Sequence, residues 1–331
     1  MIHHPLAFRL LTLIGCLLPA CSSQETPGDN AGSSGQAGSS GHAGTGGQAG
    51  SGGSGGSGGT AGSGGTGGGA VCDPGPGYAT NPAPRRVDSV QAKIVDQQGK
   101  PVEGVLAQVC GTDSCINGKT DKNGDVVTCN GPVCVPGIAP GQDLIQPAFK
   151  YGAGLTYAKF AFPLPSGADH NLGDVTIIPI DPPGSGSALA PGTSVSSNGV
   201  SLKLAPGSSI GLDLLTYLFE DEQQFRAVVF SPTNAPIAVD PSLNLELLVG
   251  TTPVETTICP AAELSVPNSE AWPANTQVEF FVHGVSIEEE WAPYAGWAKI
   301  SDGAVSADGV SIVTAQGQGV PLLSVFGIRR K

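Results

Sequence analysis

The sequence predicts an all-β protein, two β-sandwich domains behind a disordered Gly/Ser-rich tether. Three observations predict it. Short runs of alternating apolar and polar residues recur from about residue 87 to the end, separated by Gly, Pro, Asn and Asp, which is the pattern of strands and turns. Charged residues make up only 13% of the chain, against roughly 25% in ordinary soluble domains, which leaves little to cover the solvated faces of helices. Finally, 21 of the 50 glycines fall between Gly28 and Ala70, where no large apolar side chain offsets the entropy of ordering.

Lys and Arg total 15 against 28 Asp and Glu, a net charge of −13 with pI ≈ 4.6. Nucleic acid is excluded as a partner, because its binding needs a basic surface to neutralise phosphates.

Residues 1–20 form an export signal, with Arg9 ahead of the apolar stretch Leu10 to Leu18. That stretch is short of the ~20 residues that span a bilayer. Leu18-Pro19-Ala20-Cys21 resembles the lipobox of bacterial lipoproteins. The resemblance implies diacylglycerol on the Cys21 thiol, cleavage before Cys21, and a membrane as partner through the lipid anchor; secretion with a free Cys21 is the alternative. Ser22 replaces the Asp that favours inner-membrane retention in that family, so the implied place is the bacterial outer membrane, exposed at the surface. Residues 21–70 then serve as lipidated cysteine and linker. The 49 residues from Ser22 to Ala70 would span roughly 35–42 Å as a Gly/Ser coil.

Residues 71–181 read as the first sandwich. Val90, Ala92 and Ile94 share one strand face, and Val105, Ala107 and Val109 form a second inward row. Asn123-Gly124 is a hairpin signal, since both residue types tolerate positive φ. Further strands are expected over 126–129, 145–150, 155–162 and 175–180. The run Ile94-Val95-Asp96, Gly99-Lys100-Pro101-Val102 and Gly104-Val105, followed by Lys119-Thr120-Asp121-Lys122-Asn123-Gly124, resembles the carboxypeptidase regulatory-like domain. That resemblance implies a transthyretin-like sandwich closed by Leu172 to Ile177, with an accessory rather than a catalytic role. Asp121, Asn123 and Asp125 have the spacing of an EF-hand start, but Val126 replaces the required Gly and Pro132 the bidentate Glu. A turn in which Asp121 bonds its own backbone is expected instead.

Cys16 leaves with the signal and Cys21 is the lipid site. Cys72, Cys110, Cys115, Cys129, Cys134 and Cys259 remain as disulfide candidates in an oxidising compartment. Nested pairing, Cys110 with Cys134 and Cys115 with Cys129, and local pairing within each C-x4-C unit are both open; Cys72 and Cys259 then pair by elimination. A zinc site from the four central thiols is the functional rival.

Residues 182–189 read as a linker and 190–331 as the second sandwich. Leu212, Leu215, Leu218 and Phe219 fit one face of a short helix. Strands are expected over 225–230, 243–249, 278–285, 297–300, 310–314 and 322–328, with turns at Asp302-Gly303 and Asp308-Gly309. The segment from Trp297 to Ile328 resembles the last strands of autoproteolytic adhesion domains. Leu322 stands where that family has its general-base His, so no self-cleavage at Ser324 is implied.

Beyond residue 70 only His170 and His283 remain, and no catalytic motif accompanies them. Glu288-Glu289-Glu290 reads as a solvated acidic segment. Trp291, Tyr294 and Trp297 are the candidate ligand-binding residues: exposed aromatics beside carboxylates stack on sugar rings, although an aromatic-poor sandwich needs its tryptophans in the core. The expected function is therefore a non-catalytic cell-envelope surface lipoprotein for structural display or binding of a protein or glycan, without cofactor or metal. The alternative is an accessory carbohydrate-binding lipoprotein serving a separate hydrolase.

Overall fold

The computed structural model describes residues 83–331 except 113, 153, 215, 236–239 and 287–290. These belong to one compact unit, Ser63–Lys331. The signal (1–20), the tether (21–70), Cys21, Cys72 and Glu288 to Glu290 lie outside the described residues.

The first half contains β1 (Arg85–Val87), β2 (Ser89–Val95), β3 (Leu106–Cys110), β4 (Cys115–Thr120), β5 (Val126–Asn130), β6 (Val133–Pro136), β7 (Gln142–Leu144), β8 (Ala148–Tyr151), β9 (Phe160–Pro163) and β10 (Asp169–Thr176). An antiparallel sheet runs in the order β6-β5-β4-β3-β8-β9; β1 pairs with β7, and β10 pairs parallel to β2. The apolar rows fall as expected: Val90, Ile94, Val105, Ala107 and Val109 are buried, with Phe149, Phe160 and Ile177 completing their core. Between β4 and β5, the Asp121 carboxylate accepts from the amides of Asn123 (2.8 Å) and Asp125 (3.0 Å). Gly124 takes the positive φ of 80° that the tight turn requires.

The cysteines pair locally. Cys110 bonds Cys115 and Cys129 bonds Cys134. Each pair sits opposite across its own hairpin, with Cα atoms 4.0 and 3.9 Å apart. The nested alternative fails on distance: β4 and β5 stand between β3 and β6, separating Cys110 from Cys134 by about 14 Å at ~4.8 Å per strand, beyond the ~7 Å a disulfide bridges. The same bonds consume the thiols that the zinc alternative needed. Cys259 is also disulfide-bonded.

The second half contains β11 (Ser187–Ala188), β12 (Ser194–Ser197), β13 (Val200–Lys203), β14 (Ser209–Gly211), β15 (Gln224–Phe230), β16 (Leu247–Thr252), β17 (Thr257–Pro267), β18 (Gln277–His283), β19 (Trp297–Val305), β20 (Ser311–Thr314), β21 (Val320–Leu322) and β22 (Val325–Arg330). They form one sheet in the order β11-β15-β16-β22-β18-β19-β20-β17-β13-β12, with β14 and β21 both pairing to β17. The sheet wraps around a single core until its two ends nearly meet. Ser197, ending β12, accepts from the Ala227 amide of β15 at 3.1 Å, and the Asn198 side chain donates to the Ala227 carbonyl at 2.9 Å.

Three expectations are corrected. No helix forms among the described residues of 212–219: Tyr217 is the buried anchor there, its hydroxyl accepting from the Val254 amide at 2.7 Å, while Leu218 and Phe219 are exposed. Leu215 lies outside the described residues. Asp302-Gly303 is not a turn but lies within β19, where a Cβ on Gly303 would stand 2.5 Å from the Phe280 ring; glycine serves close packing here. Within 182–189, read as a linker, Ser187 and Ala188 pair with Phe225 and Gln224.

The halves share a wall. Strand β16 is buried on both faces. Leu247 and Val249 point into the second core and Leu248 into the first. On β22, Phe326 and Ile328 face one core and Val325 the other, and on β18 Phe280 and Phe281 divide the same way. Arg226, fully buried, ties the junction through backbone carbonyls. It donates to Leu155 of the first half, to Asp181 between the halves (2.7 Å) and to Glu222 of the second (3.3 Å). Burial lowers the pKa of its guanidinium, and the nearby carboxylates of Asp221, Asp181 and Glu222 act against that.

A shared wall couples the halves thermodynamically, so the full chain should unfold in a single denaturant transition by fluorescence and by far-ultraviolet circular dichroism. Phe230→Ala, which removes a ring packed 6.1 Å from Phe160 across the junction, should destabilise that transition by about 3–5 kcal/mol without splitting it. Two separated transitions would show that the cores are independent.

Candidate binding site

A cleft is built where two strands of the second half break register. β17 pairs with β21 at Thr257 and again at Ala262, and the register shifts over the four residues between, which have no partner on β21. β19 carries its own bulge at Ile300, between Phe280 and Phe281 of β18. Bulges bend strands and re-aim side chains, which is why they recur beside binding sites. Here they open a cleft of about 580 Å³ lined by Lys203, Pro260, Ala261, Glu263, Trp291 and Ile300, and by the turn 315–319, a size suited to a small ligand. Gly319 fixes the far wall: its φ is 116°, and a Cβ there would stand 2.4 Å from the Ala262 carbonyl. The turn is therefore pressed onto β17 by a residue that only glycine can supply.

The cleft mixes apolar and polar groups. Trp291 is half-buried, packed on the second core with part of its surface in the cleft. Lys203 and Glu263 stand opposite one another in register and are exposed. Neither forms an ion pair or a side-chain hydrogen bond among the described residues. The Gln318 side-chain oxygen accepts from the Asp302 amide at 2.7 Å, which fixes the orientation of its amide NH₂.

The three aromatic candidates do not form one platform. Trp291 lines the cleft. Tyr294 is buried at the junction, its hydroxyl donating to the Cys110 carbonyl (3.3 Å) and its ring beneath the Lys150 ammonium (4.7 Å). Trp297 packs on the first core, 4.7 Å from the His283 ring. The three residues are neighbours in sequence, but the chain turns at 292–296 and sends the three rings to three different clusters. Lys203, Glu263 and Gln318 were not singled out from the sequence, because a cross-strand pair is visible only once register is known. The one local signal was the Gly-rich turn Gln316-Gly317-Gln318-Gly319.

Both histidines are hydrogen-bonded to backbone groups. His170 is buried in β10 and bonds the Gly167 carbonyl at 3.0 Å. His283 has both ring nitrogens committed to backbone: Nε2 accepts from the Ala161 amide (3.1 Å) and Nδ1 donates to the Gly296 carbonyl (2.9 Å). The buried Ser324 hydroxyl donates to the His283 carbonyl at 2.7 Å, a structural bond. Among the described residues no group of three or more His, Cys, Asp and Glu is arranged to hold a metal ion.

In comparison with known proteins, no family model matches this chain and no curated protein aligns with it.

His283 gives the junction a defined acid sensitivity. Burial is the main cause lowering its pKa from 6.5 to about 4; the Lys150 charge acts the same way, and the Gly296 and Ala161 bonds oppose both. The folded state thus keeps the ring neutral while the unfolded chain takes up a proton near pH 6.5. The stabilisation is complete above that pH and is lost as pH falls toward 4. Denaturant midpoints should show a loss of about 2 kcal/mol between pH 7 and pH 5, and His283→Gln should flatten that dependence.

Proposed function

We propose that the chain is a non-catalytic surface lipoprotein of the bacterial outer membrane, anchored through lipid on Cys21, which displays its β unit for binding a protein or glycan. Three observations support the reading. Leu18-Pro19-Ala20-Cys21 ends an export signal and is followed by a long Gly/Ser segment that contains nothing to bury. The disulfides Cys110–Cys115 and Cys129–Cys134 fit a compartment in which thiols are oxidised. The cleft offers binding groups, whereas the histidines and Ser324 are occupied in holding backbone. The single observation that carries the reading is the lipobox at Cys21, because two or more acyl chains suffice to hold a soluble unit at a bilayer.

In the same reading, residues 71–181 are a carboxypeptidase regulatory-like module with an accessory role. Supporting it are the Asp121 turn between β4 and β5 and the parallel pairing of the closing strand β10 with β2. The second reading, an accessory carbohydrate-binding lipoprotein serving a separate hydrolase, is favoured by one observation, the half-buried Trp291 in the cleft.

Anchoring is tested directly. Intact-mass analysis of the detergent-extracted protein should show residues 1–20 removed and acyl chains on residue 21, and Cys21→Ser should move the protein from the membrane to the soluble fraction. Full retention of Cys21→Ser in the membrane fraction would overturn the lipoprotein reading.

A further inference from the structure

We propose that the cleft at Trp291 is a binding site for a neutral carbohydrate, with the indole as stacking surface and Lys203, Glu263 and Gln318 as hydroxyl-recognising groups; this rests on the binding role proposed above and gives it a site and a ligand class. The chemistry of the lining selects among ligands. Lys203 and Glu263 carry opposite charges on neighbouring strands, so the pair adds no net charge that would select an anion or a cation. An ammonium offers three donors and a carboxylate two acceptor oxygens; together with the Gln318 amide they match groups that both donate and accept, such as sugar hydroxyls. A purely apolar ligand would strip water from all three without replacing their hydrogen bonds. A peptide cannot add to this wall as a further strand, because β13 and β17 are already hydrogen-bonded to one another along it.

Trp291 supplies the apolar half of the match. A pyranose has C–H faces and hydroxyl edges, and the half-buried Trp291 offers apolar indole surface beside the polar groups of the cleft, the same division in mirror form. Rigidity supports the assignment. The β17 bulge, the β19 bulge at Ile300 and the Gly319 turn shape the walls from backbone, and the Trp291 ring is held against the second core. A preformed site of this kind loses little freedom on binding.

The experiment uses the purified full chain in detergent, titrated with neutral oligosaccharides of glucose, xylose and N-acetylglucosamine and followed by tryptophan fluorescence and calorimetry. At least one should bind. Trp291→Ala should weaken it tenfold or more, about the loss of one good aromatic contact. Lys203→Met and Glu263→Gln, on exposed strand positions that leave the core untouched, should each weaken it severalfold with unchanged unfolding midpoints. These two variants decide the matter if Trp291→Ala fails to fold. Absence of binding by all three sugar series overturns the proposal, as does binding confined to anionic oligosaccharides or binding unaffected by the Lys203 and Glu263 variants. The result is separable from the anchoring test: sugar binding with Cys21→Ser still in membranes would leave the site and remove the lipoprotein reading, and the reverse pattern would do the opposite.

Discussion

The structure depends on a wall of three strands, β16, β22 and β18, whose two faces are both apolar and belong to different cores. Only a sheet buried on both sides imposes this, and it removes the freedom to place a polar residue at alternate positions. Leu247-Leu248-Val249-Gly250 and Val325-Phe326-Gly327-Ile328 are therefore nearly continuous in apolar and glycine residues. Glycine enters where the layers come closest: a Cβ on Gly250 would lie 2.9 Å from that of Ala158 in the first half. Away from this wall, strands such as β2, β13 and β20 show the ordinary half-buried alternation.

Much of the fold was legible because most strands are half-buried. Val90-Gln91-Ala92-Lys93-Ile94 shows its alternation openly, and the Asn123-Gly124 turn declares its conformation by residue type. What escaped the sequence has physical causes. The wall strands lack alternation, so their second face was invisible in the sequence. Residues 182–189 have linker composition, yet Ser187 and Ala188 are ordered by pairing with β15, a contact set by topology. The leucines of 212–218 have a helical spacing, but the segment is fixed by Tyr217 reaching Val254, a long-range bond that outweighs local periodicity.

The candidate site was legible only in its tryptophan. Trp291 stood out by residue type, while the carboxylate and ammonium that accompany it come from β17 and β13 and meet through register. Tyr294 and Trp297 were grouped with it by proximity in sequence. The junction claimed both instead, since Tyr294 reaches Cys110 and Trp297 packs beside His283. Aromatic residues are scarce here, five Tyr and three Trp in the chain, and the fold uses most of those near residue 294 to join its halves.

The hairpin disulfides have a consequence for proteolysis. Each closes a loop of only four intervening residues, Gly111 to Ser114 and Asn130 to Val133, at the tip of a hairpin. Exposed tips are where cleavage concentrates. A peptide bond cut inside either loop leaves both ends held by sulfur and by the paired strands, so the molecule would survive the nick as one covalent piece.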